Sequence, residues 1–531
     1  MGFNKKSSVS SPISNATTAE GGAGFLVGPK KELYSLVVTS LLSGDVFYEK
    51  AEDRLKRLRD LIEQVHREKD GDEFLLGLAV YARNEMYMRT APTMLVSELF
   101  LKQIPGTDKA AHHIFLRGDE HLEALSYIKM VGEKRPKQLL KTISQLLNEF
   151  TPYKAAKYKC EGKGFTQRDA LRLSHPVPKD SRQSAIFKYI TQGFDKLTPE
   201  ERVLVPELVR MQAGQAMTWE QQISGKGSTK ENWEQIIPKM RYMALLRNLR
   251  NFIEKGVGKA QIELVANKIM DKAEVRNSKQ LPWRFYNAYN ALSSLGSRSE
   301  VQILGRAVRK ALDYSIDNVP DLDGNTLILA DTSGSMRKPV GGNNVPKDSA
   351  NNAIMAYDLG IILGSILAGK NSCEFFLFEN KPTKVRFGAG DDTISRIEKA
   401  KLQAINGGTA IGYSFAEAIK LSGNKVFNRA IILTDEQGAD DLWSEVRKYR
   451  DKNPAFNCFA INLVGTKVSA LPQSNGAYQL AGYSDRLFSW IKEEEATSQA
   501  IISKITSIGK AIIQGSYNRH VESAETDDVE D

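Results

Sequence analysis

The sequence predicts a multidomain fold in which an all-α region of stacked helix pairs is followed by a doubly wound α/β domain. Three observations lead to this prediction. The chain has 531 residues, which at roughly 150 residues per domain is too long for a single small module. Apolar residues recur at helical spacing over residues 31–318. After residue 320, short apolar runs alternate with helical segments, as they do in α/β domains.

The helical region is predicted from apolar stripes separated by glycine and proline. Leu55, Leu58, Ile62 and Val65 are one such stripe, and similar spacing recurs along the region. The breaks divide it into about a dozen helices of ordinary length. Helix pairs stacked as in HEAT-type solenoids accommodate this pattern, although no repeat of fixed period is present to prove it.

The α/β domain is predicted from its alternating elements. Strands are expected at residues 326–330, 373–378, 430–433 and 458–464, and helices at 350–367, 410–421 and 442–450. The strands are apolar throughout, which is typical of a parallel sheet covered on both faces. A further amphipathic helix is expected at residues 498–513, and residues 522–531 form an acidic tail that we expect to be disordered.

Composition excludes several classes of protein. Hydrophobic residues make up 41% of the chain and charged residues 26%, which is ordinary for a globular protein. Its three cysteines are far apart and suggest neither a disulfide framework nor a zinc site. No apolar run reaches the ~20 residues that cross a bilayer, and no signal-peptide pattern is present. We therefore expect a cytoplasmic protein with no membrane partner.

The positive charge is concentrated in the helical region. Residues 1–320 contain 50 basic and 37 acidic side chains, whereas residues 321–531 contain 23 and 27. An excess of this size attracts RNA, DNA or an acidic membrane surface. A solvated basic surface without a partner is the alternative.

Oxygen-bearing side chains follow the predicted strands of the α/β domain. Asp331, Ser333 and Ser335 follow the first strand, Thr409 lies in a glycine-rich turn, and Asp435 ends a later strand. The carboxyl ends of parallel strands share one edge, where such folds bind ligands. These donors suit a hard divalent cation, Mg²⁺ above all, with one position open for an acidic ligand.

The arrangement resembles the metal-ion-dependent adhesion site of von Willebrand factor A domains. The resemblance implies that Ser333, Ser335 and Thr409 contact the ion directly, and that Asp331 and Asp435 act partly through water. The alternative is a serine-rich turn beside two ordinary aspartates. No His or Cys lies nearby in sequence to activate a serine, so a hydrolytic serine is not expected.

Three basic clusters are candidate RNA-binding sites. Cations and aromatic residues interleave over residues 153–176, a combination that can neutralise phosphates and stack on unpaired bases. The candidate residues are Lys134, Arg135, Lys137, Lys157, Lys159, Lys163, Arg168, Arg172, His175, Arg247 and Arg250. Each cluster alone is weak evidence, because charged helix faces usually just face water, and a packing or capping role is the favoured interpretation of Tyr158 or His175 taken singly.

Four motifs resemble the TROVE module of the Ro ribonucleoprotein autoantigens. They lie at residues 89–92 (Arg-Thr-Ala-Pro), 173–176 (Leu-Ser-His-Pro), 219–225 and 243–251. Members of this family also carry a C-terminal von Willebrand A domain, and the resemblance covers roughly residues 24–490. It favours a bacterial member of the family, in which a ring of HEAT-like helices is followed by the Rossmann-like A domain.

The resemblance also implies a function. Family members bind small noncoding Y RNAs on a basic outer surface and single-stranded 3′ ends of misfolded or immature RNAs in a central hole, some of them beside 3′ exonucleases. We therefore predict a non-enzymatic protein of RNA quality control and processing. The alternative is a metal-dependent protein-interaction adaptor whose A domain grips an acidic partner. The expected organisation is a flexible terminus (1–23), the RNA-binding ring (24–320), the A domain (321–490), and a helix with an acidic tail (491–531).

Overall fold

A computed structural model describes residues 13–518 apart from residues 40–50, 87, 159–163, 214–218, 279, 281, 320, 338–353, 467, 473, 483–485 and 497–499. Lys159, Lys163 and the acidic tail 522–531 therefore lie outside the described residues. The chain forms two compact units. The A unit combines residues 1–58 with 319–500, and the helical unit combines residues 59–318 with 501–531.

The first described elements are strands β1 (Ala16–Thr17) and β2 (Ala23–Leu26) and helix α1 (Pro29–Val38). The helices that follow are α2 (Ala51–His66), α3 (Gly71–Asn84), α4 (Thr90–Leu101), α5 (Thr107–Ile114), α6 (Glu120–Met130), α7 (Lys137–Asn148), α8 (Pro152–Lys157), α9 (Gln167–Ser174), α10 (Ser181–Gln192), α11 (Pro199–Leu204), α12 (Pro206–Gln212), α13 (Trp219–Lys226), α14 (Lys230–Ile236), α15 (Tyr242–Glu254), α16 (Lys259–Ile269), α17 (Lys272–Ser278), α18 (Pro282–Ser293) and α19 (Ser299–Ser315).

The remaining elements are β3 (Thr326–Asp331), α20 (Ala356–Lys370), β4 (Cys373–Phe378), β5 (Pro382–Lys384), α21 (Thr393–Gln403), α22 (Ile411–Leu421), β6 (Arg429–Thr434), α23 (Leu442–Lys452), β7 (Asn457–Asn462), β8 (Val468–Ser469), β9 (Ala477–Ala481), α24 (Arg486–Ala496) and α25 (Ala500–Gln514).

In the helical unit, helices pack on near neighbours in the chain. Helix α3 contacts α4 and α5, α4 contacts α6, and α7 contacts α9. In α7, Leu139, Ile143 and Leu146 are buried, because residues three and four apart share one face of a helix. Helix α9 begins at a capping box between Thr166 and Asp169, which satisfies backbone donors of its first turn.

The sheet of the A unit has the strand order β5-β4-β3-β6-β7-β9. Strand β5 pairs antiparallel with β4, and the other neighbouring pairs are parallel. Helices cover both faces: Gly360 of α20 lies against Ala330, while Phe415 of α22 packs in the core beside Leu329. The predicted fold class, a helical region followed by a doubly wound α/β domain, is confirmed.

The division of the chain differs from the predicted one at both ends. Residues 16–26 form a β-hairpin, although residues 1–23 were expected to be flexible, and β2 pairs antiparallel with β8 through Phe25 and Ser469. This pairing joins the N-terminal segment to the A unit. Helix α25 instead belongs to the helical unit, where a Cβ on Gly77 of α3 would lie 1.9 Å from the carbonyl oxygen of Ile505.

Candidate metal centre and nucleic-acid interface

The five predicted metal-binding side chains lie together at the carboxyl edge of the A-unit sheet. Asp331 ends β3, Asp435 follows β6, and Thr409 precedes α22. All five, including Ser333 and Ser335, are buried. Burial of so many oxygen atoms at the carboxyl ends of the strands indicates an ordered polar site rather than a turn exposed to water.

Short hydrogen bonds fix the loop after β3. The Ser333 amide donates to Asp331 Oδ1 over 2.9 Å, and the Thr434 hydroxyl donates to Asp331 Oδ2 over 2.6 Å. The hydroxyl oxygens of Ser333 and Ser335 are 3.2 Å apart. The two serine hydroxyls are therefore presented side by side.

Backbone hydrogen bonds connect this loop to the other two loops of the site. The Gly334 amide donates to the Gly407 carbonyl over 3.1 Å, and the Ala439 amide donates to the Thr409 carbonyl over 2.7 Å. The Gln437 amide donates to Asp435 Oδ1 over 3.0 Å. Hydrogen bonds thus link the loop after β3, the loop before α22 and the loop after β6 along one edge of the sheet.

The electrostatics of the site favour a cation. Burial, followed by the charge of Asp435, raises the pKa of Asp331 to about 7. Burial also raises the pKa of Asp435, against hydrogen bonds from Ser335 and Gln437. Asp435 Oδ2 is buried without a hydrogen-bond partner among the described residues. Two buried carboxylates with an unsatisfied oxygen and neighbouring hydroxyls fit a divalent cation.

Acidic residues alone do not account for such a site. In the part of the chain that the structure describes, no three His, Cys, Asp or Glu side chains are grouped closely enough to hold a metal ion. Any ion at this edge would therefore depend on the hydroxyls of Ser333, Ser335 and Thr409, as the sequence pattern predicts.

The sequence analysis did not identify two further buried carboxylates at this edge. Glu379 directly follows β4, and a Cβ on Gly407 would lie 2.1 Å from its Oε2 atom. Glu436 has a left-handed φ of 63° and accepts a 3.1 Å hydrogen bond from the Ala470 amide. Their positions immediately after strands β4 and β6 were the signal that could have found them.

Six exposed cations lie on or beside the packed helices α7 and α9, and we call them the basic surface: Lys134, Arg135, Lys137, Lys141, Arg168 and Arg172. Helices α7 and α9 pack together, and Arg168 and Arg172 are four residues apart on one face. Asn148 at the end of α7 donates to the Val177 carbonyl over 2.9 Å and accepts from the Lys179 amide over 3.0 Å. The segment that follows α9 is thereby held beside α7.

The basic surface differs from other charged parts of the helical unit in that its described cations form no salt bridges. Residues 134–179 contain eleven Lys or Arg and three Asp or Glu. Elsewhere, Arg89 pairs with Asp119 and Glu123. Within the described ranges, none of the six cations of the basic surface forms a salt bridge, so their charges are available to an external anion.

The aromatic residues near these cations have different roles. Tyr158 is buried, with Arg117 5.5 Å and Lys157 5.3 Å from its ring centroid, so it packs rather than exposing a stacking face. His175 is exposed and caps the C-terminus of α9 with a left-handed φ of 45°. Of these two aromatic candidates, His175 is exposed and Tyr158 is buried.

The third cluster lies on a different part of the helical unit. Arg247 and Arg250 are exposed on α15, a helix that packs against α16 and α18. Arg250 forms a 2.6 Å ion pair with Glu254. The described contacts do not place these two arginines on the basic surface.

Comparisons with known proteins bear on both units. Residues 208–317 match the model of the TROVE domain. Telomerase protein component 1 of Rattus norvegicus is 35% identical over 100 residues, and that of Mus musculus is 34% identical over 100 residues. Each match covers 18% of this chain and 4% of the relative. The chain thus spans only a small fraction of these relatives' length.

The fold also matches a solved structure. The Ro (RSR) protein of Deinococcus radiodurans aligns with a TM-score of 0.61 and 17% identity, over 92% of this chain and 100% of that chain. Among the described helices, none is both long enough and apolar enough to span a bilayer. The chain thus contains a match to the TROVE domain over residues 208–317, and its fold is similar to that of this solved Ro (RSR) protein.

Proposed function

We propose that this protein is a non-enzymatic RNA-binding component of a ribonucleoprotein, and that structured RNA binds to the basic surface. The observation that carries the proposal is the group of six exposed cations on and before α7 and α9, which form no salt bridges within the described residues. Cations of this kind contact phosphates and fix the register of a bound RNA. Their number supports binding by charge and shape rather than by base sequence.

The RNA class we propose is a small noncoding RNA of the Y type. A compact helical RNA presents closely spaced phosphates to a rigid surface, which suits two packed helices better than a flexible single strand does. His175, at the end of α9, would add a contact to an unpaired base. We further propose that single-stranded 3′ ends of misfolded or precursor RNA bind elsewhere on the helical unit, and that a 3′ exonuclease processes them in RNA quality control.

Crosslinking in cells, followed by sequencing of the bound RNA, tests this proposal. The full chain should recover a small set of structured noncoding RNAs. A variant with Lys134, Arg135 and Lys137 replaced by Ala should lose those RNAs, while RNAs crosslinked through exposed 3′ ends should be retained. Equal recovery of every RNA class by the variant would contradict an RNA site on this surface.

A second function is favoured by the carboxyl edge of the A unit. We propose that Ser333, Ser335 and Thr409 hold Mg²⁺ together with Asp331 and Asp435. The ion would supply a Lewis-acidic position that accepts a carboxylate, which makes the A unit a metal-dependent contact for an acidic protein partner. Calorimetric titration of the full chain with Mg²⁺ tests this, and absence of binding would reject it.

A further inference from the structure

Arg337 lies directly after the loop that carries the two serines of the candidate metal centre. A short 3₁₀ turn follows Ser333, and within it the Arg337 amide donates to the Gly334 carbonyl over 3.2 Å. Arg337 follows Ser335 by two positions, so their Cα atoms are at most about 7.6 Å apart. The turn therefore fixes the backbone of Arg337 beside the centre.

The guanidinium group of Arg337 lies against an aromatic ring at the same edge of the sheet. Its central carbon is 4.8 Å from the ring centroid of Tyr357, which is within the range of a cation–π contact. Tyr357 is in the first turn of α20, and this helix connects the parallel strands β3 and β4. Since such a helix runs back antiparallel to its strands, it begins at their carboxyl edge. Both side chains are partly exposed there.

Arg337 pairs with no acidic side chain among the described residues. Its Nε atom is buried without a hydrogen-bond partner in this part of the chain. The carboxylate next to its aromatic partner belongs to Asp358, which is engaged by other groups: Lys401 Nζ lies 2.6 Å from Oδ1, and the Met355 amide donates to Oδ2 over 2.9 Å. The charge of Arg337 is therefore available to an external anion.

A guanidinium held in this way suits a carboxylate. Arginine presents parallel N–H donors that match the two oxygens of a carboxylate, and contact with an aromatic ring restricts the side chain before any ligand binds. In the proposed metal-dependent contact, the ion accepts a carboxylate as well. The ion and Arg337 would then provide two positions for acidic groups at one edge of the sheet.

We propose that Arg337 is a specificity-determining residue of the A unit, and that the acidic partner presents two carboxylates, one to the ion and one to Arg337. The inference rests on the proposed metal-dependent contact and deepens it. An isolated acidic residue would occupy only one of the two positions. A protein segment with neighbouring Asp or Glu residues is therefore the preferred partner.

Dicarboxylates of increasing length test this proposal with the full chain. The probe is Mn²⁺ with the protein in excess, because a carboxylate that binds the ion displaces water and lowers the water-proton relaxation enhancement. Succinate, glutarate and adipate are compared with acetate, which has a single carboxylate. The best of the three should bind about tenfold more tightly than acetate, because its second carboxylate forms a charge-assisted hydrogen bond with Arg337.

Three variants identify the source of this advantage. Arg337→Gln should abolish it and leave the acetate affinity within about twofold. Tyr357→Ala retains the charge but removes the ring, so it should reduce the advantage to about threefold. Lys448→Gln makes the same change in charge on α23, where Lys448 pairs with Glu445, and should leave all affinities unchanged. Thermal melts of the variants must match that of the unmutated protein.

The outcomes separate this inference from the metal site on which it rests. If the unmutated protein binds no Mn²⁺, the metal site is wrong and the inference is wrong with it. If Mn²⁺ and acetate bind but no dicarboxylate has an advantage, or if Arg337→Gln retains the advantage, the metal-dependent contact stands and the role of Arg337 is wrong. Loss of small-RNA affinity in Arg337→Gln, with dicarboxylate binding unchanged, would assign the guanidinium to a phosphate and overturn the proposal.

Discussion

Three cations of the basic surface provide the most quantitative test of RNA binding. Replacing Lys137, Arg168 and Arg172 together with Ala removes exposed charges that form no salt bridges within the described structure. If each contacts a phosphate, the slope of log K against log salt should become shallower by roughly 2 to 3 units, at about 0.9 per contact for duplex and 0.7 for single strands. Lower affinity alone would not identify counterion release as the cause.

The slope translates into a directly measurable ratio. At 0.9 per contact, the ratio of the RNA affinity of the unmutated protein to that of the triple variant should decrease about 40-fold between 50 mM and 200 mM salt. Fluorescence anisotropy with one structured small RNA, over at least four salt concentrations, measures this ratio. The same titration with His175→Ser should show weaker binding at an almost unchanged slope, because a contact to a base by stacking or hydrogen bonding releases few counterions.

A matched control holds the change in net charge constant. Arg67, Lys230 and Lys259 each pair with a Glu at i,i+4 spacing on helices of the same unit. Their joint replacement by Ala should alter the slope far less than the triple variant does. Equal slopes in the two variants would refute the assignment of the basic surface. Circular dichroism melts must match throughout, because Leu171 beside Arg172 is buried.

Other predictions address the metal edge, a buried histidine and a helix crossing. Asp331→Ala in the full chain should abolish Mg²⁺ binding in calorimetry while small-RNA affinity stays within about twofold; undiminished Mg²⁺ affinity would remove Asp331 from the site. Burial lowers the pKa of His121 to about 4 despite its hydrogen bond to Gln167. As the pH drops, His121 therefore binds a proton in the unfolded chain before it does so in the folded protein. The free energy of unfolding should accordingly decrease between about pH 6.5 and pH 4, by up to about 3 kcal/mol. In urea unfolding, the His121→Gln variant should lack this pH-dependent decrease in stability. The prediction would be contradicted if the variant and the unmutated protein had the same pH dependence. Gly77→Val should destabilise the α3–α25 crossing by about 1–3 kcal/mol and expose α25 to limited proteolysis, whereas an unchanged cleavage pattern would show that the crossing tolerates the side chain.

The sequence identified those features that local patterns encode. Strand β3 was predicted within one residue of its observed end, because its six residues are all buried. The proximity of Asp331 and Asp435 was predictable because both come at the ends of strands, and parallel strands bring their ends together; that they hold a metal ion stays a prediction. Helix α20 begins at Ala356 rather than at the predicted residue 350. At its N-terminus, the Met355 amide donates a hydrogen bond to the Asp358 side chain.

Contacts between distant parts of the chain were not predictable in this way. Strand β2 is four residues long and pairs with β8, more than 440 residues later, so no local periodicity reveals the pairing. On the basic surface, composition revealed the excess charge but not which cations have partners: Arg250 has Glu254, whereas Arg172 has no salt bridge in the described region.

The pairing of β2 with β8 has a consequence for how this protein is made. A ribosome synthesises the N-terminal hairpin first, yet its partner strand at Val468–Ser469 emerges only after almost the whole helical unit. The early segment, including Phe25 and Leu33, must therefore remain without its buried surroundings for most of translation. Chaperone contact with nascent chains should accordingly be strongest at this segment and should end once β8 and β9 leave the exit tunnel.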